Sequence, residues 1–507
     1  MGALSAGLLV ASAVSLVLRV IETPNVAIHL GWLFIAVLVT IQFVLSLLDR
    51  PFTVSDTERA GLEGLRVVIL VPCYNEDPEL LVNGLRSMLG QTRTPAAISV
   101  VDDGSSIDYA DVERTMRAEA DAAGVQLHWR RTQNHGKRYA LVNAARREPD
   151  ADIYMTVDSD SILDRAAIEE GLKPFADARV QSVAGFLLVL NAQETWLTRM
   201  MELLIVSWGL FERSALSLAG SVLVNSGACA FYRAEVVRES AADFLSETIL
   251  GRRMTFSDDS LLTLFALERG RAVHQRTCFV FSSMPTAIRP HLIQQSRWMR
   301  GAIVRAWWRF KYLPLTSVAY WALAAKWLQF LLQTVVPLIF LAVLVSVAPQ
   351  SLVVFGVWWL CVQFAISSRY LALRRSDQTR RQRWVVFACV PVMVFWQAFV
   401  LHPLRLYAYA TFARTGWGSR ASVSETIGEG RGISIEAADP GPAGGEGVSN
   451  GSRDAARPAN RFVVAAGLAV IFAAMAALAR GRWIRAGGRD HSSERERVRL
   501  RYSARGN

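Results

Sequence analysis

Between Leu65 and Ser161 four apolar runs of strand length end on acids or other polar residues, with helical segments interleaved. "LRVVILVPCYNED" (65–77) is a β-branched run that gives way to Pro, Cys and polar residues, the pattern of a buried parallel strand entering a loop. "LLVNGLRSML" (80–89) reads as a helix, and "AISVVDDGSS" (97–106) as a second strand closing on Asp102, Asp103 and Gly104. "QLHWRRT" (126–132) is a third strand, "NHGKRYALVNAARR" (134–147) a turn into a helix, and "DIYMTVDSDS" (152–161) a fourth strand. Such alternation specifies an open α/β sheet, and sheets of this kind bind ligands at the C-terminal ends of their strands. In the fourth run Ile153, Met155 and Val157 look like core, while Asp158 and Asp160 are costly to bury unless positive charge meets them. Either the strand ends at a solvated turn, or it delivers two acids to a metal.

A chain of 507 residues that is 52% hydrophobic is too apolar to be soluble throughout. Residues 3–21 and 27–48 are each long enough to cross a hydrocarbon core of roughly 30 Å, and further apolar segments follow near 330–347, 351–373, 384–412 and 461–479. The first lacks the basic leader and cleavage site of a signal peptide. The expected organisation is two transmembrane helices in 1–50, a cytosolic catalytic domain with interfacial helices in 51–310 and a transmembrane region in 311–420. A Gly-, Ser- and Pro-rich disordered linker (421–460), a last apolar segment (461–479) and a basic tail (480–507) complete it. Six spans would put both termini in the cytosol but residues 417–420 outside. Segment 384–412, interrupted by Pro391 and Pro403, is where a re-entrant or doubled stretch is expected.

The net charge of +11 is concentrated beside the apolar segments: nine Arg against three acids from Arg480 onward, and five Arg against one Asp in "RRSDQTRRQR" (374–383). The positive-inside rule and anionic lipid headgroups account for both runs. No basic stripe with interleaved aromatics marks a nucleic-acid surface. The five Cys have no metal-ligand spacing and suit a reducing, cytosol-facing domain.

The strand ends form an ordered set. Gly104 beside Asp102 and Asp103 leaves room for a base or ribose, Lys137 offers a cation to a diphosphate, and Asp158 and Asp160 offer oxygens to Mg²⁺ or Mn²⁺. Taken in order, these describe a nucleotide-diphosphate-sugar site. With "VPCYNED", "VDDGS", "NHGKRYA", "VDSDS", "SGACAFYR", "SDDSLLT", "QQSRW" and "FVLHPLRLYAYATFARTGWGSR", the chain resembles the family 2 processive glycosyltransferases, the group of hyaluronan, chitin and rhizobial chitooligosaccharide synthases, over roughly residues 65–420. The pair Asp258-Asp259, "GRAVHQRTC" and "FERSALSLAGSVLVNSG" lean toward the hyaluronan type. Ser257, Ser260 and Asn225 depart from the usual Gly, Arg and Cys of relatives.

The resemblance implies a GT-A-type α/β domain with a mostly parallel sheet, joined to transmembrane and interfacial helices. It implies UDP-GlcNAc and UDP-GlcA as donors, inversion at C1, a growing polysaccharide as acceptor and a plasma-membrane location in contact with lipids. Asp259 would be the general base with Asp258 beside it. Tyr74, Asp102, Asp103, Lys137, Arg297, Trp417 and Arg420 would hold the nucleotide sugar, Asp158 and Asp160 the metal, and Gln294, Trp298, Ser226 and Gly227 the acceptor. Simpler readings stand beside these: Trp298 as an interfacial anchor, Asp258 and Asp259 as a helix N-cap, and Lys137 as a solvated helix start. A GlcNAc-only polymerase, a non-processive enzyme acting on a lipid carrier and a non-catalytic scaffold are the alternatives. One face of 322–336 carries Lys326, Gln329 and Gln333, which suits a wet export path or an amphipathic surface helix.

Overall fold

The computed structural model describes residues 26–347, 350–373, 375 and 377–414, all within one of two compact units, residues 1–433. The expectations for 3–21, Trp417, Arg420 and everything beyond lie outside the described residues. Ten strands are described: β1 (Val67–Cys73), β2 (Ala97–Asp102), β3 (Gln126–Arg131), β4 (Ile153–Thr156), β5 (Ser161–Leu163), β6 (Val180–Val189), β7 (Ala230–Arg233), β8 (Thr248–Ile249), β9 (Arg252–Arg253) and β10 (Arg271–Ser282). All but the small β8–β9 hairpin join one sheet in the order β3-β2-β1-β4-β7-β6-β10-β5.

The four strands read from their β-branched runs pair in parallel as β3-β2-β1-β4, with Val68 opposite Ala97 and Ile69 opposite Met155. Helices cover both faces, which is why β1 is buried almost end to end and shows no alternation. β7 runs antiparallel between β4 and β6, and β10 pairs in parallel with β6. Strand order reverses between β1 and β4: β2 and β3 lie on one side of β1, and β4 on the other. The connections there leave in opposite directions and open a crevice at the carboxyl ends of β1 and β4. Tyr74 follows the first of these strands and Asp158 the second.

Beyond the sheet, helix Ile288–Tyr312 runs 25 residues and carries the Q-x-x-R-W motif. Helices Val318–Val347 and Gln350–Ser367 follow, then the stretch Arg380–Ala410. This 31-residue stretch is, among the described residues, the one helix long and apolar enough to cross a membrane, with shorter apolar helices at Ala36–Leu48 and Val318–Leu332. Pro391 and Pro403 do not double the chain back. Each sits in the first turn of a helical segment, where its missing N–H is tolerated, and a π-helical turn at Gln397–Leu401 lies between. One expectation fails in detail. Arg375, assigned to lipid headgroups, is buried and paired with Glu202 and Asp377, because an arginine this deep requires carboxylate partners.

Candidate active site

The loops at the three central strand ends are tied to one another by side chains. After β1, Asn75 takes a left-handed backbone (φ 48°), receives the Ser106 amide on Oδ1 at 2.7 Å and donates its own amide to Ser105 Oγ at 2.8 Å. Glu76 accepts from Ser159 Oγ of the post-β4 loop at 2.7 Å, and its carbonyl accepts from Tyr109 at 2.6 Å. Sequence reasoning missed Asn75, Glu76 and Ser159, since short-range patterns do not reveal partners from another strand.

Asp102 and Asp103 separate in role. Asp102 is buried, accepts the Ser105 amide at 2.9 Å and faces Arg131 at 3.6 Å; the structure does not place it on the cavity wall. Its carboxylate holds the post-β2 turn. Asp103 lines the cavity and accepts from the amides of His135 at 2.9 Å and Gly136 at 2.7 Å, fixing the loop that delivers Lys137; burial raises its carboxyl. Gly104 also has a different reason from the expected one. At φ +76° a Cβ would stand 2.8 Å from the Asn134 backbone nitrogen, so the missing side chain makes room for the chain itself. Gly104→Ala is expected to destabilise the protein by about 1–3 kcal/mol, read as a lowered Tm without ligand.

Lys137 opens helix Lys137–Arg146 and stands between two acids, one from the loop after β4 and one from the start of helix Asp258–Arg269. Its ammonium pairs with Asp158 Oδ1 and lies 3.2 Å from Asp258 Oδ2. Burial disfavours its charge, but Asp158 and Asp258 outweigh that and hold the lysine ionised, so it is no solvated helix start. Asp258 and Asp259 are the first two residues of helix Asp258–Arg269; the N-cap position is Ser257, in a left-handed conformation with φ 61°. Burial acts against ionising both carboxyls. Lys137 and Arg138 still hold Asp258 below the usual range, whereas burial and then the Asp258 charge push Asp259 up to about 6. A pair of carboxyls driven apart in this way offers one permanent anion and one base poised near neutrality.

Asp158 and Asp160 both line the cavity, and a Cβ on Gly227 would lie 3.3 Å from Asp158 Oδ2 and from Lys137 Nζ. Two hard carboxylate oxygen donors facing a space kept open by a glycine fit a divalent cation. Among the described residues no group of three His, Cys, Asp or Glu side chains is assembled for a metal, so phosphate and water oxygens would complete the shell.

Asp103, Lys137, the pair Asp158 and Asp160, Gly227 and the pair Asp258 and Asp259 all face one cavity of about 1990 Å³. Tyr74, Asp103, Lys137, Asp158 and Asp160 line it. Ser226, Gly227, Asp258, Asp259, Gln294, Arg297 and Trp298 line it too, as do Lys326, Gln329, Phe330 and Tyr409 from the helices beyond the sheet. Trp298 is 43% exposed within it, as a stacking surface requires. Lys326 pairs with Glu212 across the wall.

Residues 65–301 match the family described as "Glycosyltransferase like family 2". Hyaluronan synthase of Streptococcus pyogenes serotype M3 is 32% identical over 406 residues, 79% of this chain and 92% of the relative. The chain belongs to glycosyltransferase family 2. An N-acetylglucosaminyltransferase of Azorhizobium caulinodans is 29% identical over 411 residues, covering 78% of this chain and 98% of the relative. Among solved structures, a mannosyltransferase from Pyrobaculum calidifontis with GDP-Man and Mn²⁺ aligns at TM-score 0.44 and 16% identity, over 80% of this chain and 98% of that one. Staphylococcus aureus TarS with UDP-GlcNAc aligns at 0.38 and 14%, over 69% and 90%. Neither likeness is close enough to bear on the site. This glycosyltransferase has a GT-A-like fold with a mostly parallel sheet, and its candidate site lies at the switch point of that sheet.

Proposed function

We propose that this glycosyltransferase is a processive, inverting polymerase of the hyaluronan type that joins GlcNAc and GlcA from their UDP donors and passes the polymer across the membrane. The observation that carries this reading is that one cavity is lined by the strand-end acids, by the acid pair and Trp298, and by the apolar helices beyond the sheet. Its breadth suits a donor and several acceptor sugars at once, and the hyaluronan synthase relatives support the choice of sugars. The exposed apolar side chains of Trp384, Val385, Val392 and Phe395 support a lipid-facing surface, and with it a multi-pass plasma-membrane protein whose catalytic domain faces the cytosol. Residues 51–310 would be that domain and 311–420 the export region.

In this account Asp259 removes the proton from the acceptor hydroxyl as its oxygen attacks C1, and the bond from C1 to the UDP oxygen breaks on the opposite face. Lys137 and Arg297 face the charge that accumulates on the leaving diphosphate, a contribution that is often the largest in catalysis. Tyr74 and Asp103 border the nucleotide. Gln294, Trp298, Ser226 and Gly227 border the acceptor. Asp158 and Asp160 would hold Mg²⁺ or Mn²⁺, which when bound neutralises diphosphate charge.

Processivity is tested by the product distribution early in the reaction. With a large excess of donor over enzyme, polymer of full length is expected while most of the donor is unused. A population of short chains that lengthen together would mean distributive transfer, as in the non-processive alternative.

A further inference from the structure

Three elements meet at the acid pair: the helix that begins with Lys137, the loop that ends in Asp258 and Asp259, and the helix that carries Gln294, Arg297 and Trp298. One carboxylate joins all three. Glu247, just before β8, accepts from Arg138 Nη2 at 2.7 Å and from Arg305 Nη1 and Nη2 at 2.8 and 3.2 Å. Arg138 is the residue after Lys137, and Arg305 lies two turns beyond Trp298 on its helix. The three side chains are nearly excluded from solvent.

Arg138 Nη1 donates to the Phe244 carbonyl at 3.2 Å, while the Nη2 of each arginine also reaches the chain that leads into the acids. Arg138 Nη2 donates to the Phe256 carbonyl at 2.8 Å, and Arg305 Nη2 to the Ser257 carbonyl at 3.2 Å. Ser257 is the left-handed residue that turns this chain into the helix. The neighbouring helix closes directly on it, since a Cβ on Gly301 would lie 2.9 Å from Ser257 Cβ. A turn farther, Arg309 reaches Ser260 Oγ at 3.1 Å. A buried ion network adds little stability over apolar residues of the same volume, whereas its forked hydrogen bonds fix direction and register.

We propose that Glu247, through Arg138 and Arg305, is a positioning residue that sets the acid pair in register with the donor lysine and the acceptor helix. The proposal rests on Asp259 acting as the base. Glu247 itself is not on the cavity wall, so its effect reaches the reaction only through the groups it holds.

The test compares the full-length protein with Glu247→Gln and Glu247→Asp by three readouts. These are kcat and KM for each UDP-sugar, the affinity for UDP alone, and hydrogen–deuterium exchange of the amides of 256–262. Glu247→Gln is expected to lower kcat by about tenfold or more with donor KM within about threefold, because displacement of a catalytic group acts on turnover. UDP affinity is expected to be unchanged, and exchange at 256–262 to accelerate. Glu247→Asp, which keeps the charge, is expected to recover part of both changes. Unchanged kcat, unchanged exchange at 256–262, or loss of activity together with UDP binding would each overturn the proposal. If the parent protein turns over neither donor, the reading of its substrates fails, while the exchange comparison still decides the positioning role.

Discussion

Asp259→Asn is expected to reduce kcat by about 10²–10⁴-fold while UDP still binds, because the amide keeps the size of the carboxyl and cannot take a proton. The site gives Asp259 this task by charge placement. Asp258 has Lys137 at 3.2 Å to stabilise its anion, whereas Asp259 meets burial and then the Asp258 charge, which together raise it to about 6. The sign of the pH dependence follows. A base must be unprotonated to act, so the rate should be level above about pH 6–7 and fall about tenfold per unit below the Asp259 pKa. Measuring initial rates from pH 4.5 to 8 checks this, with kcat followed at saturating donor. The acid limb should be absent from whatever slow residual turnover Asp259→Asn retains. Asp258→Asn should be milder in kcat and should move the limb to lower pH, since it removes the negative neighbour that raises Asp259.

Lys137→Met is the second large effect. Lys137 is the cation shared by Asp158 and Asp258, and its removal takes away the positive charge that lies between those acids. Two losses combine: the charge opposite the leaving diphosphate, and the balance that keeps Asp259 within reach of neutrality. A fall in kcat of about 10²–10³-fold is expected from the first. From the second, the acid limb should shift upward, because Lys137 lowers Asp259 and its absence raises it. Lys137→Arg should restore little. The planar guanidinium is larger than the ammonium, and the space is bounded by Gly227, whose Cβ position is only 3.3 Å from Lys137 Nζ. A parent-like rate in Lys137→Met would remove this lysine from the account.

The first half of the sheet was legible because β1, β2 and β4 are buried on both faces and write continuous apolar runs into the chain. The second half was not. "AFYR" of β7 and the long β10 look like motif flanks, and nothing local states that β7 inserts antiparallel between β4 and β6. The candidate residues that the structure brings to the cavity from strand ends, Tyr74, Asp103, Asp158 and Asp160, were legible for the same reason as the strands. What a neighbouring pair such as Asp102 and Asp103 does not reveal is its partners: Asp102 accepts the Ser105 amide of its own turn, and Asp103 the amides of His135 and Gly136. Residues 297–312 are basic and aromatic, as the interfacial-anchor reading of Trp298 needs, and that is half of it: Trp307 and Phe310 are exposed, while Arg305 and Arg309 are buried. Composition cannot distinguish an arginine that meets lipid from one that meets a carboxylate 58 residues away, as Arg305 meets Glu247.

The most direct test of the central claim supplies the purified protein in lipid vesicles with Mn²⁺ or Mg²⁺ and radiolabelled UDP-GlcNAc and UDP-GlcA, singly and together. High-molecular-weight product that requires both donors and is cleaved by hyaluronidase is the predicted result. Polymer from UDP-GlcNAc alone would contradict it and assign the cavity to a chitin-type chain.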